Sequence, residues 1–133
     1  MKSVLLMLAL PFVLLASPVE SYMEELAVQA KSEVPNFKGF SVQRGENIFT
    51  SEHIGKKGKK ISCVSCHGKN LRKSGENIFT GKVIEALSPT ANPKRLSKLK
   101  DIKKWLRRNF KDVYKREGTA VEKGDVLRYI QSK

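Results

Sequence analysis

The chain has 133 residues, 40% of them hydrophobic, and a formal net charge of +13, which leaves room for one domain once a targeting segment is set aside. So basic a chain usually suggests nucleic acid, but the export signal described next excludes that partner. The charge points instead to acidic redox partners or an anionic membrane surface, which a positive protein meets fastest at low salt.

Residues 1–21 have the form of a secretory signal peptide. Lys2 supplies the positive start, Ser3 to Ala16 is almost wholly apolar, and Ala16, Ser17 and Ser21 offer cleavage points. The apolar run is shorter than the ~20 residues that span a bilayer, and no cysteine lies near it to take a lipid anchor. Export makes the protein periplasmic; an uncleaved segment would leave it membrane-associated. Lys2 and Glu20 would leave together, so the net charge survives processing.

Residues 22–40 read as a short helix and linker. Met23, Leu26, Ala27 and Ala30 fall at helical spacing, and Val34-Pro35-Asn36 ends the run. The domain is expected over residues 41–133. Its first helix spans Gln43 to Thr50, with Gly45 and Phe49 on one face. The hexapeptide Gly45–Thr50 recurs as Gly75–Thr80, but two short copies do not make a repeat architecture. Lys56, Lys57, Lys59 and Lys60, grouped around Gly58, read as a solvated loop.

Cys63-Val64-Ser65-Cys66-His67 follows. This is the C-x-x-C-H attachment signature for c-type haem. Two thiols three positions apart on one helical turn can each add across a haem vinyl group. The adjacent imidazole then meets the iron from the proximal side. A structural zinc site would want four nitrogen or sulfur ligands, whereas the only other imidazole is His53 and there is no third cysteine. In an oxidising compartment the two thiols would otherwise pair. The cofactor expected is one covalent haem c.

Gly68 to Pro93 is rich in Gly, Ser, Pro and Asn, and so long an irregular stretch is expected to wrap something. Ser97 can cap the next helix, which runs to about Arg116 with Ile102, Trp105, Leu106 and Val113 on one stripe. Gly118 stops it. Thr119-x-x-Glu122 is a capping box for the last helix, which should bury Val126, Leu127, Tyr129 and Ile130. The fold class is therefore all-α, a helical domain around one haem that supplies much of the apolar centre.

The second axial ligand separates an electron carrier from a gas binder. Met1, Met7 and Met23 all precede the motif, so no downstream thioether is available. His53, a lysine, Asn109 or an open site remain. Asn109 lies seven after Ile102, four after Trp105 and three after Leu106, inside the apolar stripe. An unpartnered buried amide there costs roughly 1–3 kcal/mol, which a metal or a backbone hydrogen bond would relieve.

From Gly45 onward the chain resembles the small monohaem cytochromes of the sphaeroides haem protein type, with a class I cytochrome c-like fold. The matching stretches are Ser62–His67, Thr80–Glu85, Ser88–Arg95, Lys104–Asn109 and Glu122–Asp125. The resemblance implies that His67 and Asn109 are the two iron ligands and that Asn109 leaves on reduction, so that O2, NO or CO can bind. It also implies a dihaem c-type cytochrome as electron partner. It further implies a disulfide from the residue after the asparagine to one before the last helix, where this chain has Phe110 and Gly118 or a near neighbour. The function expected is periplasmic electron transfer with gas binding, and no separate acid–base constellation marks an enzyme. The alternatives are a plain carrier with a permanent His53 or lysine ligand, and a gas sensor or reductase.

Overall fold

The structure is a computed structural model that describes residues 15–133; most of the expected signal segment lies outside them. Among the described residues the α-helices are α1 (Pro18–Glu33), α2 (Val42–Thr50), α3 (Val64–His67), α4 (Leu99–Tyr114) and α5 (Ala120–Gln131), with one 3-10 turn at Lys56–Gly58. Sheet is confined to two antiparallel pairs of two-residue strands, β1 (His53–Ile54) with β2 (Lys60–Ile61), and β3 (Gly75–Glu76) with β4 (Val83–Ile84). The fold is all-α, as the helical spacings predict. No helix among these residues is long and apolar enough to cross a membrane.

The structure moves one expected boundary. α1 starts at Pro18, behind the N-cap Ser17, and buries Val19, Tyr22, Met23, Leu26 and Ala30. These side chains belong to the same apolar cluster as Phe49, Leu106 and Leu127, so the packed body begins at α1 and not at Ser41. Of the two alanines that make the face look weak, Ala30 is wholly buried and Ala27 half-buried.

α2 crosses α5 at close range. A Cβ at Gly45 would overlap the Asp125 carbonyl oxygen and stand 2.8 Å from the Tyr129 Cβ. Asp125 itself is 1% exposed. Its Oδ1 accepts from the Ser41 N–H (2.7 Å) and Arg44 Nη2 (2.9 Å), and its Oδ2 from Arg44 Nε (2.7 Å). A buried carboxylate is tolerated when paired and hydrogen-bonded in this way. The start of α2 is thereby tied to the middle of α5.

α5 opens with the expected capping box, Thr119 Oγ1 accepting from the Glu122 N–H and Glu122 Oε2 from the Thr119 N–H. Arg116 adds two 2.7 Å hydrogen bonds to the same carboxylate, and that guanidinium is the main cause of the lowered Glu122 pKa. α4 departs from expectation in two ways. Ser97 does not cap it, because the N-cap position falls one residue later on Lys98, and the Ser97 hydroxyl donates to the Lys94 carbonyl. Its buried stripe is Ile102, Leu106, Phe110 and Val113, while Trp105 is 44% exposed.

The irregular stretch after α3 is pinned by Leu71 and Ser88, both buried and joined by the Ser88 N–H to the Leu71 carbonyl (2.9 Å). The two hexapeptide copies have different structures, the first within α2 and the second in β3 and a turn.

Candidate cofactor site

Local chemistry shapes the turn that carries the cysteines. The Ser62 N–H donates to Ser65 Oγ (3.0 Å), the His67 N–H to the Cys63 carbonyl (3.0 Å), and Gly68 ends α3 at φ +74°. Glycine reaches that left-handed conformation without steric cost. Gly75 on β3 braces the turn, since a Cβ there would overlap the Cys66 carbonyl oxygen. Cys63 and Cys66 are both free thiols, and the His67 ring lies 6.0 Å from that of Phe49.

Burial dominates the electrostatics. It pushes the Cys63 thiol up to about 12, with a further rise from Cys66, so this thiol keeps its proton. It lowers His67 to about 4, with a further lowering from Arg95, so the imidazole is neutral near pH 7 and its lone pair is available to a metal.

Above the turn is a cavity of two lobes, about 150 and about 480 Å³. Cys63, His67, Leu87, Arg95, Trp105 and Asn109 border both. Phe49, Leu106, Phe110 and Leu127 close the smaller lobe. Cys66, Phe79, Thr80, Lys82 and Val83 line the larger, so the irregular stretch does supply a wall. Two thiols, a neutral imidazole, apolar walls and two nearby guanidiniums match a flat apolar macrocycle with iron at its centre and carboxylates at its rim. Among the described residues no cluster of three or more His, Cys, Asp or Glu could hold a bare metal ion.

Of the residues singled out from sequence, Cys63, Cys66, His67 and Asn109 come together here. Asn109 is half-buried on α4 and faces both lobes. His53 borders neither. Its ring packs 4.1 Å from that of Tyr114, its Nε2 is buried without a hydrogen-bond partner, and Tyr114 is the residue that reaches the smaller lobe. The Tyr114 hydroxyl donates to the Ile48 carbonyl (2.7 Å). Arg95 lines both lobes, with Nε on the Ala86 carbonyl (2.9 Å) and Nη2 on that of Glu85 (2.7 Å). Arg108 lines the larger lobe and lies over Trp105; Arg107 is exposed and lines neither.

Sequence reasoning missed Tyr114, Leu87 and Phe79 as wall residues. Tyr114 carries a faint signal, one helical turn beyond Phe110; Leu87 and Phe79 sit in irregular chain and carry none. At the far end of α4 the Phe110 ring rests directly on Gly118, where a Cβ would stand 2.8 Å from two ring carbons. Phe110, which stands where the family resemblance implies one of two bridged cysteines, is here a ring seated on a glycine.

Comparison with known proteins agrees with this geometry. A family model described as a domain of unknown function (DUF1924) matches residues 35–130. Cytochrome c-type protein SHP of Cereibacter sphaeroides is 38% identical over 88 residues, 66% of this chain and 67% of that protein. Cytochrome c'' of Methylophilus methylotrophus is 29% identical over 101 residues, 76% of this chain and 70% of that protein. The crystal structure of oxidised cytochrome c'' superposes with a TM-score of 0.78 at 26% identity, covering 87% of this chain and 94% of that one. Oxidised SHP, described as an oxygen-binding cytochrome c, superposes at 0.76 and 29%, covering 88% and 98%. Fold and site thus define a c-type cytochrome with one covalently bound haem. The chain belongs to the DUF1924 family and is a monohaem cytochrome c of the sphaeroides haem protein type.

Proposed function

We propose that this protein is an exported electron-transfer cytochrome whose distal haem ligand leaves on reduction and opens the site to O2, NO or CO. Cys63 and Cys66 would hold the haem through thioethers, with His67 and Asn109 as the residues that would ligate its iron. The observation that carries the reading is that His67 on α3 and Asn109 on α4 border both lobes of one cavity, whereas His53 lies behind Tyr114. When bound, the haem iron supplies a one-electron couple and a coordination position for a diatomic gas. The Asn109 amide oxygen is a hard, weak donor that suits ferric better than ferrous iron. Leu106 and Phe110 give its surroundings an apolar wall. SHP is described as oxygen-binding, and the solution structure of cytochrome c'' concerns haem-ligand detachment; both relatives support the reading.

The test is optical. Reduced holoprotein should be high-spin and convert fully on adding carbon monoxide, and Asn109→Ala should abolish the low-spin ferric spectrum while leaving that conversion intact. A low-spin ferrous spectrum indifferent to carbon monoxide would sink the proposal.

The reading also places the protein in the periplasm, with an acidic redox protein such as a dihaem c-type cytochrome as partner. The signal would be cut after Ala16. That cut keeps the N-cap Ser17, whereas a cut after Ser21 would remove Val19 from the core and Glu20, which accepts from Gln131 Nε2 (2.7 Å). Intact-mass measurement of the secreted holoprotein should find Ser17 first; a chain beginning at Tyr22, or one still carrying Met1, would contradict it.

A further inference from the structure

The basic stretch 56–60 reads from sequence as a solvated loop, but its geometry is more definite. It forms the tip between β1 and β2, tied by hydrogen bonds from the Gly55 N–H to the Lys59 carbonyl (2.9 Å) and from the Lys59 N–H to the Lys56 carbonyl (3.2 Å). Gly55 packs so closely on α4 that a Cβ would overlap the Asp112 carbonyl oxygen. Lys57 sits at φ +55°, a left-handed conformation that costs a lysine about 1 kcal/mol or more and persists only where surrounding structure imposes it.

This held tip gathers positive charge onto one ring. The ammonium groups of Lys56, Lys57 and Lys59 lie 5.3, 5.8 and 5.7 Å from the centre of Phe79. Cation–π attraction offsets part of their mutual repulsion, roughly 0.5–1 kcal/mol for each exposed pair. Carboxylates neutralise little of the rest. Among the described residues, ion pairs reach Lys56 (Asp112, 3.4 Å) and Lys60 (Glu52, 3.1 Å), and none reaches Lys57 or Lys59.

Phe79 is also a wall of the larger lobe, on which Cys63, Cys66 and His67 open. Beside it in the chain Ile78 is 39% exposed, and Val83, on the same lobe, is 74% exposed. An apolar centre with a charged rim is the composition of a protein–protein contact, and electron-transfer encounters use the small end of that range. Anionic headgroups would also attract these lysines, but the tip offers no amphipathic helix to lie in a membrane surface.

We propose that the tip 55–60 and Phe79 form the docking face for an acidic electron-transfer protein, whose carboxylates would sit among Lys56, Lys57 and Lys59. The proposal rests on the haem reading above and adds the place and chemistry of the partner. Docked there, a partner is separated from the cofactor cavity by one side chain.

The test uses holoprotein and a purified acidic flavodoxin as reductant. Changing Lys56, Lys57 and Lys59 together to Gln should slow reduction at low salt by about tenfold, and the difference should fade as salt rises past the Debye length of about 10 Å at 0.1 M. Lys31, Lys38 and Lys100, exposed elsewhere, changed together to Gln, remove equal charge and should slow it by no more than about twofold. Arginine at the three tip positions should preserve the rate. Equal slowing in both Gln variants would assign the effect to net charge and overturn the proposal. So would unaltered flavodoxin rates with loss of binding to phosphatidylglycerol vesicles, which would make the tip a membrane contact. The pyridine haemochrome spectrum, recorded for every variant, reports separately on the haem reading.

Discussion

Replacing Cys63 and Cys66 together with alanine should give a protein whose haem leaves completely into acidified organic solvent and whose denatured chain carries no haem stain. These are the only cysteines, they lie three apart on one turn, and both are free. In the double variant the cofactor would depend on ligation by His67 and Asn109 and on apolar contact, neither of which survives denaturation. Either single variant should keep one thioether and shift the pyridine haemochrome to longer wavelength, because one vinyl group stays conjugated with the ring. Haem that remained covalently bound in the double variant would mean attachment at another residue, and the site as drawn would be wrong.

Gly45→Ala should cost about 3 kcal/mol, at the upper end of ordinary overpacking. The new methyl would meet the Asp125 carbonyl oxygen, which is backbone and cannot rotate away, with the Tyr129 Cβ behind it. α2 would have to back off α5, stretching the Ser41 and Arg44 hydrogen bonds to Asp125. For a domain of this size the melting temperature should fall by roughly 12–24 °C. Gly81→Ala is the contrasting case: nothing lies near its Cβ position, and only its φ of +68° opposes the change, a strain of order 1 kcal/mol. A Gly45→Ala melting curve no lower than that of Gly81→Ala would show that the crossing is looser than described.

Chemistry written in adjacent residues was legible from the chain. The C-x-x-C-H run gave α3, Thr119 and Glu122 gave the start of α5, and helical spacing brought Asn109 to the cavity. What depends on residues far apart was not. Asp125 looks misplaced among the apolar residues of α5, because its partner Arg44 is 81 positions away. Trp105 lies at the edge of the α4 stripe and faces the cavity, while Phe110 takes the core position. α1 seemed peripheral because alanine scores as a weak apolar residue, although Ala30 is wholly buried in the core. The repeated hexapeptide is the plainest case. Identical residues form helix at 45–50 and strand and turn at 75–80, so propensity decides neither, and neighbours do. Both copies nevertheless use their glycine for close backbone approach and their phenylalanine as a cavity wall.

The seat of Phe110 on Gly118 bears on how the chain matures. A bridge at that elbow would need oxidant while the attachment thiols need to stay reduced, so the order of the two reactions would matter, and four cysteines could pair in three ways. With a ring on a glycine, the turn between α4 and α5 closes by packing alone. Reductant strong enough to hold Cys63 and Cys66 open leaves the turn untouched, and the one pairing it has to prevent is that of Cys63 with Cys66. Cofactor attachment and closure of the distal helix become chemically independent events.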